Sequence, residues 1–366
     1  MTRKYLNLTA GAWRQLRKNW RPPLSAAMLW QSFVAGSLFS ALDKFQDAAV
    51  GTRRADIRLA GSVVILGYWR SGTTLLHELL CADQRYGYPT TYACMNPHHF
   101  ILTETSRAAA KQAGARRPMD NMQVRAGSPQ EDEFALLSLG ARSPYEALLF
   151  PSHLSDALGL CDPDALTPAE RADWKEAFLK FARGVSLSAD KRPLILKSPA
   201  HSYRLATLRE LMPDVKFVLI VRDPFTVFES AVRMWSSLFG TYALEKAPSA
   251  EDIRSVVLAD RPRFEAKLSN GVDAMPANRI ASVRYEELVK HPLRTLEEVY
   301  TRLQLGDFAD VRGAVSAEIE RREQERRLVI AEEALARQKA EIEAEKSRAE
   351  RDAERCQGPI ARNAGQ

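Results

Sequence analysis

Cysteine is scarce in this sequence, and an uninterrupted hydrophobic run long enough to span a membrane is missing. The 366 residues include only four cysteines, and these form no CxxC pair and have no histidine at metal-ligand spacing. We therefore expect neither a disulfide framework nor a metal site, and the cytoplasm is the simplest compartment. With 45% hydrophobic and 27% charged residues, the composition is that of a globular protein. The net charge of +6 suits an anionic small ligand, nucleic acid or an anionic membrane alike.

The N-terminal segment, residues 1–60, begins basic and continues apolar. Six basic residues and no acidic residue precede position 43. Residues 24–42 are mostly apolar, but six serine, glutamine or glycine positions interrupt them. This makes a signal-anchor helix a poor interpretation, and no small-residue cleavage site indicates a secreted precursor. We predict a helix packed on the domain, with peripheral membrane contact through its basic flank as an additional hypothesis.

Residues 61–306 alternate strand-like and helix-like segments. Short apolar runs at 62–66 and 216–221 are typical of buried parallel strands, and 193–196 and 279–283 are weaker candidates. Helical patterns follow at 73–80, 202–212, 224–238 and 292–303. The third of these would bury Phe225, Phe228, Val232 and Trp235. Repeated βα units predict an α/β fold with three layers, a central parallel sheet and ligands at the carboxyl ends of its strands.

Two further segments differ in composition from the rest of the chain. Residues 86–174 are rich in aromatic residues and proline, and we expect them to cover the substrate. Residues 307–366 predict a charged helix over 316–355 and a disordered tail. Leu328, Leu335 and Ile342 recur every seven residues, but the complementary seam is polar. A solvated helix is therefore favoured over self-association as a coiled coil.

The loop after the first strand, GYWRSGTT at residues 67–74, has the context of a phosphate-binding loop. It lies between a buried strand and a helix, where backbone amides of residues 71–74 can meet an anion at the positive end of the helix. The spacing is that of GxxxxGK[ST], but Thr73 stands where nucleoside triphosphate enzymes place lysine, and the cation is Arg70. The pattern therefore disfavours a magnesium-dependent phosphotransferase.

The sequence RSGTT resembles the 5′-phosphosulfate loop of sulfotransferases that use 3′-phosphoadenosine 5′-phosphosulfate (PAPS). The resemblance continues at 221–224 (VRDP) with Ser230, at 194–199 (LILKSP) and at 284–288 (RYEEL). It implies a P-loop-like fold and PAPS as co-substrate without a metal. It also implies cofactor contacts from Arg70, Ser71, Gly72, Thr73, Thr74, Arg222, Ser230 and Tyr285. Lys197 would neutralise charge on the leaving phosphate, together with Arg70. A salt bridge of Arg222 with Asp223 is the alternative for that arginine.

The general base stays open at this point. Cytosolic animal sulfotransferases have a histidine where this chain has Pro199, and other branches use an upstream glutamate. Glu131, Glu133 and His201 are the candidates, ahead of His77, His98 and His99. A capping box from Ser128 to Glu131 is an equally weighted structural alternative for that glutamate.

The leading hypothesis is therefore transfer of a sulfuryl group from PAPS to a hydroxyl or amine of a small-molecule, glycan or lipid acceptor, without nucleic acid as a partner. A P-loop phosphotransferase, or a non-catalytic nucleotide-binding or membrane-associated scaffold, are the alternatives.

Overall fold

A four-stranded parallel sheet forms the centre of the computed structural model, which describes residues 6–21, 24–103, 115–116 and 123–357. Its strands are β1 (Val63–Leu66), β4 (Ile195–Lys197), β5 (Lys216–Val221) and β6 (Ile280–Arg284), in the spatial order β4-β1-β5-β6. A separate antiparallel pair consists of β2 (Ala115–Arg116) and β3 (Gln123–Val124). The central sheet therefore has β1 between β4 and β5.

The register brings three strand ends to one edge. Ile65 pairs with both Lys197 and Val218, and Leu66 pairs with Leu219. All four residues of β1 are buried, as expected for a parallel strand covered on both faces. The residues that follow β1, β4 and β5 consequently emerge next to one another, where parallel sheets bind ligands.

Helices flank this sheet. In chain order they are α1 (Ala10–Trp20), α2 (Ala26–Ala55), α3 (Thr73–Cys81), α4 (Thr91–Met95), α5 (Glu133–Leu139), α6 (Glu146–Leu149), α7 (Leu154–Gly159), α8 (Pro168–Ser188), α9 (Leu205–Leu211), α10 (Pro224–Tyr242), α11 (Ala250–Asp273), α12 (Tyr285–Lys290), α13 (Pro292–Leu303) and α14 (Ala309–Gln357). Short 3-10 turns cover Pro151–His153, Pro163–Ala165, Pro199–Tyr203 and Ala277–Arg279. The predicted central parallel sheet, N-terminal helices and long C-terminal helix are confirmed.

Local signals explain several helix starts. Thr167 with Glu170, and Ser249 with Asp252, form capping boxes at α8 and α11. Proline occupies the first turn of α8, α10 and α13, where its missing amide costs no hydrogen bond. The predicted burial of Phe225 is wrong: this side chain is 81% exposed, because the buried stripe of α10 runs through Val227, Ala231, Trp235 and Leu238, and Phe225 lies off that face.

The N-terminal helices α1 and α2 form a hairpin against the domain. The Ala10 amide donates to the Ser40 hydroxyl at 3.0 Å. Gly36 lies so close to the Ala10 backbone that a Cβ would approach its nitrogen to 3.0 Å. Among the described helices, none has both the length and the hydropathy needed to cross a membrane.

Two compact units divide the chain, residues 1–318 and 319–366. The first contains the sheet and the hydrophobic core, in which Trp69, Trp174 and Trp235 are among the largest fully buried side chains. The described part of the second is the outer length of α14, with Leu328, Leu335 and Ile342 exposed. The helix begins at Ala309, earlier than the predicted start at 316, and the final residues 358–366 lie outside the described ones.

Candidate active site

The turn between β1 and α3 leaves the start of the helix open. Gly72 is the N-cap residue and makes no side-chain capping bond, so the first-turn amides of Thr73 and Thr74 have no intrahelical acceptor. The Ser71 amide is different, because it donates to the Tyr68 carbonyl oxygen at 3.2 Å. This amide is therefore engaged within the turn. The amides of Gly72, Thr73 and Thr74 and the helix dipole remain available for a negatively charged group.

Arg70 occupies an unusual backbone position in this turn. Its φ is 70°, in the left-handed region that side-chain-bearing residues rarely adopt and that is concentrated at functional sites. Its Nε donates to Ser230 Oγ at 3.1 Å, and its carbonyl oxygen accepts from Arg222 Nη1 at 3.1 Å. The first βα turn and the β5–α10 junction are thus in direct contact. Both arginines therefore belong to the carboxyl edge of the sheet.

Arg222 has a second contact that orients it. Its guanidinium lies over the Tyr285 ring, 4.1 Å from the ring centre, a cation–π arrangement. Asp223 turns away from it and caps α10, accepting from the Thr226 amide at 2.7 Å. The alternative of an Arg222–Asp223 salt bridge is therefore not what the structure shows.

Tyr285 also packs against the turn between β1 and α3. A Cβ on Gly72, whose φ is 104°, would lie 2.3 Å from the Tyr285 ring. Any side chain at position 72 would therefore displace the tyrosine or distort the turn. Arg70, Gly72, Arg222, Ser230 and Tyr285 form one cluster, although they are separated by more than two hundred positions in sequence.

Lys197, at the end of β4, lies beside an acidic residue from a different segment. Its Nζ donates to Glu131 Oε1 at 2.7 Å, and the two side chains are 3% and 15% exposed. The other Glu131 oxygen, Oε2, accepts from the Tyr145 hydroxyl. Burial, and then the neighbouring Glu131 carboxylate, raise the pKa of Tyr145 well above its ordinary value, so this phenol keeps its proton. Trp69 Nε1 in turn donates to the Tyr145 oxygen at 3.3 Å.

The next two acids have other partners. Asp132 pairs with His201 Nε2 at 2.8 Å, and both side chains are essentially inaccessible. Glu133 pairs with Arg204 at 2.7 Å, with exposures of 0% and 1%. Three consecutive acids, 131–133, thus meet three basic side chains from the segment 197–204.

These contacts separate the candidate bases. The capping-box alternative for Glu131 is wrong, because α5 begins at Glu133 and the Glu131 carboxylate bonds to Lys197 and Tyr145 instead. Glu133 and His201 are enclosed by protein, so the geometry does not present either to an acceptor. Glu131 alone of the three has both partial exposure and a contact with the strand-end lysine.

The remaining histidines lie elsewhere. His77 is buried on α3 with Nε2 3.4 Å from the Ile195 carbonyl oxygen, and desolvation, then Lys197, lower its pKa to about 3. His98 Nε2 contacts the Asn7 carbonyl oxygen at 2.8 Å, and desolvation lowers its pKa to about 4. His99 Nδ1 lies 3.0 Å from the Thr103 hydroxyl. Two of these three histidines contact backbone carbonyl oxygens, and His99 contacts a threonine hydroxyl.

Comparison with known proteins agrees with this arrangement. The Sulfotransferase family model matches residues 62–310. The chain is 35% identical over 271 residues to omega-hydroxy-beta-dihydromenaquinone-9 sulfotransferase Stf3 of Mycobacterium bovis, a match that covers 74% of this chain and 69% of the relative. The protein of that name from Mycobacterium tuberculosis matches equally well.

Solved structures extend the likeness to the fold. Sulfotransferase STF1 from Mycobacterium tuberculosis H37Rv has a TM-score of 0.61 at 18% identity, over 83% of this chain and 85% of that one. STF9 from Mycobacterium avium has a TM-score of 0.55 at 16% identity, over 75% and 72%. The predicted P-loop-like fold is thereby confirmed. The phosphotransferase and non-catalytic alternatives are wrong, and this chain belongs to the sulfotransferase family as an enzyme that transfers a sulfuryl group.

Proposed function

We propose that this sulfotransferase takes its sulfuryl group from PAPS and transfers it to a hydroxyl group of a lipid-like acceptor. The observation that carries the donor assignment is the contact of Arg222 with the Arg70 carbonyl oxygen at 3.1 Å. It joins two cationic βα junctions into one site for a ligand with separated anionic groups. PAPS, with a 3′-phosphate and a 5′-phosphosulfate, is such a ligand.

Each anionic group has a set of protein donors. The amides of Thr73 and Thr74, at the positive end of α3, would hold the 5′-phosphosulfate. Arg222 and Ser230 would hold the 3′-phosphate, and Arg70, which touches Ser230, would lie between the two groups. Tyr285, fixed between Gly72 and Arg222, offers a flat apolar surface for the adenine.

The chemical step requires a base for the acceptor proton and a positive charge beside the leaving phosphate oxygen. The acceptor oxygen forms a bond to sulfur as the bond from sulfur to the phosphate oxygen breaks, and adenosine 3′,5′-bisphosphate departs. Lys197 would neutralise the negative charge that develops on the phosphate oxygen. Glu131, 2.7 Å from the Lys197 nitrogen, would receive the acceptor proton. In this proposal Glu131 acts where the new bond forms, and Lys197 acts where the old bond breaks.

Tyr145 acts as a positioning residue in this proposal. Its protonated hydroxyl donates to Glu131 Oε2, which fixes the carboxylate and leaves Oε1 directed at Lys197. Glu133 and His201, although named as candidate bases by the sequence, would maintain the buried packing around that carboxylate. Residues 86–174 carry both Glu131 and Tyr145, which supports their assignment as the acceptor cover.

The acceptor class is supported by two observations. The Stf3 relatives are named for a hydroxylated menaquinone derivative, a long apolar molecule that ends in a hydroxyl. The N-terminal hairpin of this chain exposes large apolar side chains, including Trp30 and Phe33. A lipid-like alcohol fits both observations better than a glycan, an amine or a small polar alcohol.

Labelled PAPS tests the whole proposal. The full chain is incubated with [35S]PAPS and, in separate reactions, a hydroxylated isoprenoid quinone, a long-chain alcohol, a sugar and a phenol. We expect label in the hydroxylated lipids and its loss in the Glu131→Gln variant. Label in the sugar alone would refute the acceptor class, and absence of adenosine 3′,5′-bisphosphate binding in calorimetry would refute the donor assignment.

A further inference from the structure

Helix α2 directs polar side chains toward the domain and several large apolar side chains toward solvent. Its buried side contains Gln46, whose amide donates to the Pro97 carbonyl oxygen at 3.0 Å and accepts from the Ile101 amide at 2.9 Å. Asp43 and Asp47 also turn toward the domain, where both pair with Lys180 at 2.8 Å. These polar and charged contacts attach the helix to the protein together with Phe39, which stacks on His98 with the ring centres 4.4 Å apart.

Five large apolar side chains of α2 face solvent. Trp30, Phe33, Leu38 and Phe45 are 70%, 71%, 57% and 66% exposed, and Val34 is 46% exposed. At about 100° per residue, positions 30, 33, 34, 38 and 45 lie along one side of the helix, over a length of about 22 Å at 1.5 Å per residue. A surface helix of a globular domain normally has the opposite arrangement. Clustered apolar exposure of this kind marks a site of interaction.

The helix that pairs with α2 exposes cationic side chains. Arg14, Arg17, Lys18 and Arg21, on and just after α1, are all exposed, and α1 is joined to α2 through the Ala10–Ser40 contact. Across positions 6–50 the sequence contains only two acidic residues, and Lys180 pairs with both. The hairpin thus combines apolar insertion residues with positive charge.

We propose that the α1–α2 hairpin docks on an anionic membrane surface. Amphipathic helices bind membranes through buried apolar area together with attraction of Lys and Arg to anionic headgroups, and both elements are present here. Trp30, Phe33, Leu38 and Phe45 would enter the boundary between headgroups and acyl chains. The α1 cations would contact the lipid phosphates. The helix lies in the plane of the surface and does not span the bilayer.

The hairpin also adjoins the segment that carries the candidate base. The Thr9 amide donates to the Ser138 carbonyl oxygen at 3.1 Å, on α5, and Trp20 Nε1 donates to the Glu146 carboxylate, on α6. Tyr145 directly precedes Glu146, so membrane docking would bring the acceptor cover to the bilayer. This link to lipid delivery rests on the proposed function, whereas docking itself does not.

Vesicle co-sedimentation of the full chain tests the proposal. We compare vesicles of phosphatidylcholine with vesicles containing phosphatidylglycerol, and expect binding to the second that weakens with salt. The triple variant Trp30→Ser, Phe33→Ser, Phe45→Ser should lower the partition coefficient by roughly 100-fold or more. Arg17→Gln with Lys18→Gln should lower it by roughly 25-fold, from the attraction of two charges to the surface.

Matched variants elsewhere provide the controls. Leu258→Ser removes an apolar side chain that is 62% exposed on α11, and Lys246→Gln with Lys290→Gln removes two exposed charges outside the hairpin. Both should leave vesicle binding unchanged. Equal loss in the control and hairpin variants would overturn the proposal, as would absence of binding to anionic vesicles.

A protein partner is the competing occupant of this face. If sedimentation shows a dimer that the triple variant dissociates, the face is an interface between copies and the membrane proposal is refuted. Calorimetry with adenosine 3′,5′-bisphosphate accompanies every variant. Normal nucleotide binding without vesicle binding would refute only the docking proposal. Vesicle binding without nucleotide binding would refute only the donor assignment.

Discussion

Replacing Arg222 by alanine tests whether the two βα junctions form a single nucleotide site. In the structure this guanidinium donates to the Arg70 carbonyl oxygen and lies over the Tyr285 ring at 4.1 Å. With the nucleotide bound, its charge would face the 3′-phosphate. Removing one partner of a desolvated charge pair costs about 2–4 kcal/mol. The dissociation constant for adenosine 3′,5′-bisphosphate should therefore rise by roughly 30- to 1000-fold.

The assay is isothermal titration calorimetry with Arg279→Ala as the matched control. Arg279 also donates its Nη1 to a backbone carbonyl, that of Pro213 at 2.8 Å, but it precedes β6 and so lies at the opposite edge of the sheet. We expect wild-type affinity for this control. Arg222→Lys should bind with intermediate affinity, because it keeps the charge and loses the planar stacking.

Thermal unfolding of each variant separates loss of the site from loss of the fold. An Arg222→Ala protein that unfolds like wild type and still binds the nucleotide with unchanged affinity would refute the common site. The roles proposed for Ser230 and Arg70 would fall with it, because both were assigned through their contacts with this cluster.

Three further outcomes are expected from the same structure. Tyr145→Phe removes the hydrogen bond to Glu131, so kcat should fall by roughly 5- to 30-fold, equivalent to about 1–2 kcal/mol. The nucleotide affinity measured by calorimetry should stay unchanged, and a weakened affinity would contradict a positioning role. His77 has a folded pKa of about 3 and an ordinary pKa of about 6.5, so the unfolded chain binds more protons and stability falls as pH drops from 7 to 5. Between pH 7 and pH 5, the free energy of unfolding measured in urea should decrease by about 2 kcal/mol less in His77→Leu than in wild type. An equal decrease in both proteins would contradict this role of His77. A chain ending at residue 318 should sediment with an unchanged association state, because only Leu328, Leu335 and Ile342 form a seven-residue apolar repeat on the outer part of α14, and the complementary seam is polar. A change from dimer to monomer would favour the coiled coil.

Local sequence patterns predicted the frame of the fold well. The runs at 62–66 and 216–221 correspond to β1 and β5 within one residue, and the helix predicted at 292–303 is α13. Buried parallel strands are continuous apolar runs, and a proline marks the starts of α8, α10 and α13, so both signals are contained in short windows. The capping boxes at Thr167 and Ser249, which mark the starts of α8 and α11, are local signals of the same kind.

The identity of the base was not predictable in this way. Glu131, Asp132 and Glu133 are adjacent acids with almost the same local context, and they differ only in the basic residue that each meets from 197–204. Those pairings depend on how β4 and the following turn pack against α5, a contact between segments more than sixty positions apart. Tyr145 was missed for the same reason, since a lone tyrosine gives no local signal of the carboxylate it will contact.

The contact between Lys197 and Glu131 implies that donor binding and release of the base are linked. One lysine cannot fully serve both the Glu131 carboxylate at 2.7 Å and the incoming phosphosulfate, so donor binding should draw it away and free Oε1 for the acceptor proton. Glu131→Gln removes the charge that competes for this lysine. We therefore expect this variant to lose transfer activity and yet to bind adenosine 3′,5′-bisphosphate more tightly than wild type, by about 1.5 kcal/mol or roughly tenfold. Asp164→Asn, which removes an exposed carboxylate paired with Lys267, is the control and should change neither property. Weaker nucleotide binding in Glu131→Gln would mean that the carboxylate supports Lys197 in the bound state, and the linkage would be refuted.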